Sequence, residues 1–107
     1  PGQYALSGCS VTEFYRNHRV TKAFLACDAV DIDSGLWTAT PEEASIKQEI
    51  LRSASTAILL TDHTKFSSAA FCLVCRLDAV HCILSDQFTP ELQNALTQQG
   101  IVWVEAS

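Results

Sequence analysis

The chain is short of positive charge: 7 Lys and Arg stand against 12 Asp and Glu in 107 residues, a formal net charge of −5. Nucleic-acid binding rests on basic patches that neutralise phosphates, and seven scattered cations do not make one. This polypeptide alone is therefore not expected to bind DNA. Long apolar runs are also missing. The longest, Ala57 to Leu60 and Ile101 to Val104, fall far short of the ~20 residues that a bilayer span needs, so no membrane partner is expected. Pro1-Gly2-Gln3-Tyr4 carries neither a cationic n-region nor an apolar h-region, and no secretory signal is expected. No glycine-rich phosphate loop occurs, and no nucleophile stands with a base.

The five cysteines, Cys9, Cys27, Cys72, Cys75 and Cys82, are odd in number, and most lie in or beside apolar runs. They read as buried free thiols in a reducing cytoplasm. Cys72-Leu73-Val74-Cys75 has the C-x-x-C form, but no second pair or finger-spaced histidine pair accompanies it. Neither a metal site nor a cofactor is expected.

What is present is one domain's worth of apolar residues, 48% of the chain, in short runs separated by well-capped helical stretches. At this length roughly two thirds of the unfolded surface can be buried, enough for one core without staples. Ser10-x-x-Glu13 is a capping box ahead of an amphipathic helix carrying Val11, Phe14, Tyr15 and His18. Lys22 to Cys27 has strand length and stops at Asp28, and Asp31 to Ala39 reads as a polar loop. Thr40, Pro41, Glu42 and Glu43 open a helix that should run to about Ala54. Thr56 to Thr61 and Val80 to Leu84 read as further strands, with a strand or helical turn around Ala69 to Val74 between them. Thr89-Pro90 starts a last helix, Gly100 stops it, and Ile101 to Val104 is the last strand. Apolar strands buried on both faces and alternating with helices predict an α/β fold, three layers around a mainly parallel sheet.

Open parallel sheets bind ligands beyond the carboxyl ends of their strands. Three strands end alike, at Asp28, Asp62 and Asp86, which places three carboxylates along one rim if the strands are neighbours. Each is equally readable as a turn former, Asp86 above all. Lys47 interrupts the apolar stripe of its helix, Ala44, Ile50, Leu51 and Ala54. It either snorkels with an i,i+4 pair to Glu43 or offers a cation to an anionic ligand. Lys65, three residues beyond Asp62, is either solvated loop charge or a phosphate contact. His81 reads as structural, and His63 is exposed enough to join a site.

The segments Lys22-Ala-Phe-Leu-Ala-Cys-Asp-Ala-Val-Asp31, Pro41-Glu-Glu-Ala-Ser-Ile-Lys47 and Leu59-Leu-Thr-Asp-His-Thr-Lys-Phe66, with Gly35, Thr38 and Leu84-Ser85-Asp86, resemble the C-terminal effector-sensing domain of DeoR-type bacterial transcription regulators. The resemblance runs over essentially the whole chain. It implies a fold similar to ribose-5-phosphate isomerase and glucosamine-6-phosphate deaminase, and a cytoplasmic repressor or activator of a carbohydrate operon that binds a phosphorylated sugar or sugar alcohol. It also implies that residues 1–107 are the latter part of the sensing domain. The winged helix-turn-helix, which alone would contact DNA, and the phosphate loop then lie outside this chain. Carried over by the resemblance, Asp28 stands at an acid that contacts sugar hydroxyls and Lys65 at a lysine that contacts phosphate. Lys47 is the family's helix lysine, and Asp62 the acid before Lys-Phe. Ala26 and Ala29 replace glycines usual around this acid. Val30 stands where the deaminases carry a catalytic histidine, which speaks against ring-opening chemistry.

The leading expectation is thus a non-enzymatic sensor using Asp28, Lys47, Asp62 and Lys65, whose ligand shifts the population of a homo-oligomer, the exposed sheet edge favouring self-association. The alternative is an aldose–ketose sugar-phosphate isomerase with Asp28 as base and Lys47 or Lys65 stabilising an enediolate. A phospho-acceptor receiver domain would need an acidic pair at its first strand end, which Tyr4 to Gly8 does not supply.

Overall fold

The computed structural model describes residues 20–106. The helix expected over Val11 to His18, and Cys9, lie outside them. Strand β1 (Val20–Leu25) pairs in parallel with β4 (Ala54–Leu60), β4 with β6 (Cys82–Ser85), and β6 with β7 (Val102–Glu105). The result is a four-stranded parallel sheet of order β1-β4-β6-β7. Such strands need long crossover connections, usually helical. Helix α1 (Pro41–Ser53) lies between β1 and β4 in sequence, and α2 (Pro90–Gln98) between β6 and β7.

Both helices start where their local chemistry says they should. Thr40 and Thr89, in extended conformation, accept from the backbone N–H groups of Glu43 and Leu92 at 3.2 Å each, and a proline follows each cap. Gly100, at φ 75°, ends the second helix in the left-handed region.

The expectation of a loop over Asp31 to Ala39 is corrected. β2 (Ala29–Asp31) and β3 (Gly35–Thr38) form an antiparallel hairpin, and β5 (Cys72–Cys75) joins β3 to make a second sheet of order β2-β3-β5. The polar residues read as loop are the hairpin's turn chemistry. Asp31 Oδ1 accepts from the N–H groups of Asp33 (2.8 Å) and Ser34 (3.3 Å), and the Trp37 indole donates to Ser34 Oγ at 2.9 Å. Gly35 sits at φ 124° with its backbone against Cys75. The Cys72 to Cys75 run is therefore a strand, and its Val74 carbonyl also accepts from Gln48 of α1 at 3.0 Å.

The core joins the two sheets. Leu25, Leu59 and Ile83 from the parallel sheet cluster with Val30, Leu36 and Val74 from the hairpin sheet and with Leu96 and Ile101. The expectation that the strands are buried on both faces holds for one face only. The register sets Phe24, Leu60, Val102 and Val104 on the other, where all four are exposed, Phe24 by 59%. Period-two alternation within short apolar runs hides this difference, because both faces are built from the same residue types.

Candidate functional site

The register builds the site. Leu25 pairs with Leu59, and Leu60 with Leu84, so Asp28 and Asp62 fall three residues beyond one pair, and Asp62 and Asp86 two beyond the other. The three acids therefore leave the carboxyl ends of neighbouring strands, as the rim reading requires.

Each acid is then put to a different use. Asp28 is exposed, and its backbone N–H donates to Trp37 O at 2.9 Å, which ties it to β3. Its Oδ2 lies 3.1 Å from the hydroxyl of Thr38, which is fully buried. Asp62 caps a short 3-10 turn, His63 to Ser67, with Oδ1 accepting from the Thr64 N–H at 2.9 Å and from the Thr64 hydroxyl. The hydroxyl bond, more than any other influence, holds the Asp62 carboxyl below the ordinary aspartate range. This is the turn-forming role, and it occupies one of the two carboxylate oxygens.

Asp86 grips His63 from both sides, accepting its backbone N–H at Oδ1 and facing its Nδ1 with Oδ2, each at 2.8 Å. His63 thus joins Asp86, not its sequence neighbour Asp62. The side-chain bond to His63 is the main reason that Asp86 titrates below the usual aspartate range. A carboxyl lowered on folding adds stability above its unfolded value and loses it as pH falls through its folded value. In His63→Ala the Asp86 carboxyl should titrate higher, and the acid limb of the unfolding curve should lose the contribution of this pair. Side-chain carboxyl NMR titration of both proteins checks this; an unmoved Asp86 resonance would contradict it.

The two lysines sit on α1 and on the 3-10 turn. Burial pushes the Cys27 thiol up to about 11, and the charges of Lys47, Asp28 and Lys65 all act on it as well. Cys27 is buried just beyond β1, its thiol donating to Ala29 O at 3.4 Å. Lys47 is half-buried on α1. The i,i+4 pair to Glu43 is not made: among the described residues Lys47 has no ion pair, and Glu43 turns instead to Thr38 and Thr40. Lys65 sits on the 3-10 turn, its backbone N–H donating to Asp62 O at 3.1 Å, and its charge reaches Asp62 as well as Cys27.

Two clefts lie elsewhere among the described residues, and none of the four predicted residues lines either. One, of about 440 Å³, lies between the 3-10 turn and the start of α2, with His63, Phe66, Phe88 and Glu91 among its walls. The other, of about 140 Å³, lies beside the hairpin against Trp37 and Ala29. His81 is structural, its Nδ1 accepting from the Ala57 N–H at 2.9 Å. Sequence reasoning missed Thr38 as the partner of Asp28 and Glu43 as the second carboxylate on the same hydroxyl. The signal was Glu43 itself, read only as half of a capping box and as an i,i+4 partner of Lys47.

A four-stranded parallel sheet with acids beyond its carboxyl ends defines an α/β domain of the open-sheet class. Residues 1–87 match the family model described as DeoR C terminal sensor domain, and the chain belongs to that family. It is 31% identical over 91 residues to the putative sgc region transcriptional regulator of Escherichia coli strain K12, covering 85% of this chain and 35% of that protein. It is 31% identical over 78 residues to the transcriptional repressor AccR of Agrobacterium fabrum, covering 72% and 30%. With the L-fucose operon activator of Escherichia coli strain K12 it shares 31% identity over 62 residues, covering 58% and 26%. The chain spans about a third of the length of the curated relatives it matches. These relatives are named as transcription regulators. Among the described residues no helix is long and apolar enough to cross a membrane.

Proposed function

We propose that this chain is the latter part of the effector-sensing domain of a cytoplasmic carbohydrate-operon regulator. It binds a phosphorylated sugar or sugar alcohol at the sheet's carboxyl rim and acts by binding, not turnover. The observation that carries this reading is the strand register, which brings Asp28 and Asp62 to the carboxyl ends of neighbouring parallel strands, with Lys65 on the turn that Asp62 caps. A dianionic phosphate suits the two ammonium groups, and the exposed Asp28 carboxylate accepts from sugar hydroxyls. Asp62 holds the turn that presents Lys65 and offers its second oxygen to the ligand. In this reading DNA is contacted by an N-terminal domain outside this chain, and binding biases a homo-oligomer between two states.

The test is thermal unfolding of the full-length regulator, with this chain alongside, against D-glucose 6-phosphate, D-fructose 1-phosphate, D-ribose 5-phosphate, glycerol 3-phosphate and their unphosphorylated forms at fixed salt. At a hundredfold excess over Kd a ligand that binds only the native state adds ~2.7 kcal/mol. Stabilisation should come from a phosphorylated member and be lost in Lys65→Ala and Asp28→Asn. An equal response from these two variants would refute the site.

A further inference from the structure

One buried hydroxyl stands between two carboxylates. Thr38, at 0% exposure, ends β3 on the side of Asp28 and just ahead of α1. Its Oγ1 lies 3.1 Å from Asp28 Oδ2 and 3.1 Å from Glu43 Oε2. A threonine hydroxyl carries a single proton, so it donates to one carboxylate and turns a lone pair towards the other. Glu43 is half-buried, and its second oxygen, Oε1, lies 3.2 Å from the Thr40 hydroxyl, which itself accepts the Glu43 N–H as the helix cap. Asp28 and Glu43 therefore share this single donor, and Lys47 lies one turn further along α1 from Glu43. The neighbouring Glu42, exposed in the first turn of α1, takes no part in this arrangement.

We propose that Glu43 is a second hydroxyl acceptor of the sugar-phosphate site, with Thr38 as the positioning residue that sets it beside Asp28, and that the ligand presents hydroxyls on two neighbouring carbons. This deepens the reading above and rests on it. One ligand hydroxyl donates to Asp28 and the adjacent one to Glu43. The Thr38 proton then goes to whichever carboxylate has a free lone pair, and neither anion is left facing an oxygen. A ligand lacking either hydroxyl loses a hydrogen bond to a charged acceptor, and at the half-buried Glu43 it also leaves that acceptor unmatched.

The experiment is titration calorimetry of the full-length protein with the tightest-binding sugar phosphate of the panel above. Its monodeoxy derivatives, one hydroxyl removed at a time, and inorganic phosphate complete the series. In the natural sequence, removal of either of two adjacent hydroxyls should weaken binding at least tenfold. Glu43→Gln keeps the helix start, because glutamine serves the capping box as glutamate does. It should erase the cost of removing one of those hydroxyls, keep the cost of the other, and leave inorganic phosphate binding unchanged. Thr38→Val should lower both costs, and Thr38→Ser should restore them. Glu43→Gln with the full hydroxyl pattern intact, while Asp28→Asn loses it, would overturn the role of Glu43 and leave the site standing. Unchanged patterns in both variants, or no binding by any sugar phosphate, would remove the site and this inference together.

Discussion

Gly35→Ala should be among the most destabilising single substitutions in the chain. At φ 124° the backbone lies outside what an L side chain adopts comfortably, and a Cβ there would fall within the contact radius of the Cys75 carbonyl oxygen and against Arg76 Cα. The conformational strain alone is about 1–3 kcal/mol. The clash adds to it, because the obstacle is the backbone of the paired strand β5 and cannot swing away. Against a total stability of about 5–15 kcal/mol for a domain of this kind, a combined loss of roughly 3 kcal/mol or more leaves little. Gly100→Ala is the control. It also has positive φ, but nothing lies within 4 Å of its added Cβ, so only the left-handed penalty of about 1–2 kcal/mol applies. Urea unfolding of the two variants should separate them clearly. Equal losses would show that the β3–β5 contact yields.

Leu59→Ala and Leu60→Ala should differ nearly as much, although the residues are neighbours on one strand. Leu59 is 0% exposed at the centre of the parallel sheet, in the cluster with Leu25, Ile83 and Leu96, whereas Leu60 points to the opposite face and is 40% exposed. Truncating the first leaves a cavity among residues fixed by two strands, and the expected cost is about 2–5 kcal/mol. The second removes a half-solvated side chain and should cost about 1 kcal/mol or less. Denaturant midpoints at constant slope measure both. If Leu60→Ala proves the costlier, the exposed face is covered in solution and the core has been assigned to the wrong side.

These two contrasts also show where the sequence is readable. The starts of α1 and α2 are local facts: a hydroxyl cap, a proline and an acid within four residues decide them, and the structure agrees at Thr40 and Thr89. The strands of the parallel sheet and their acidic ends are legible for the same reason. The hairpin is not. Asp31 to Ala39 looks like loop because its turn residues dominate, and what makes Leu36 and Trp37 a strand is β5, with partners Cys75 and Leu73 far along the chain. The Glu43–Lys47 pair fails similarly. Helical spacing favours it by only about 0.2–0.5 kcal/mol, and a buried hydroxyl from outside the helix competes successfully for Glu43. Asp28 and Lys65 could be picked out as residue types at strand ends and Lys47 as a cation in an apolar stripe, but the Thr38 hydroxyl shared by Asp28 and Glu43 is a property of the tertiary arrangement alone.

That cysteine gives the molecule a chemical reporter of its own. With the thiol raised to about 11 by burial, only about one molecule in ten thousand carries the thiolate at pH 7, and the thiolate is the form that alkylating reagents attack. Modification of Cys27 in the native state then has to wait for the end of β1 to open. Its rate, measured against that of the unfolded chain, counts those openings, and a molecule bound across Asp28, Lys47 and Lys65 would slow the count without touching the sulfur.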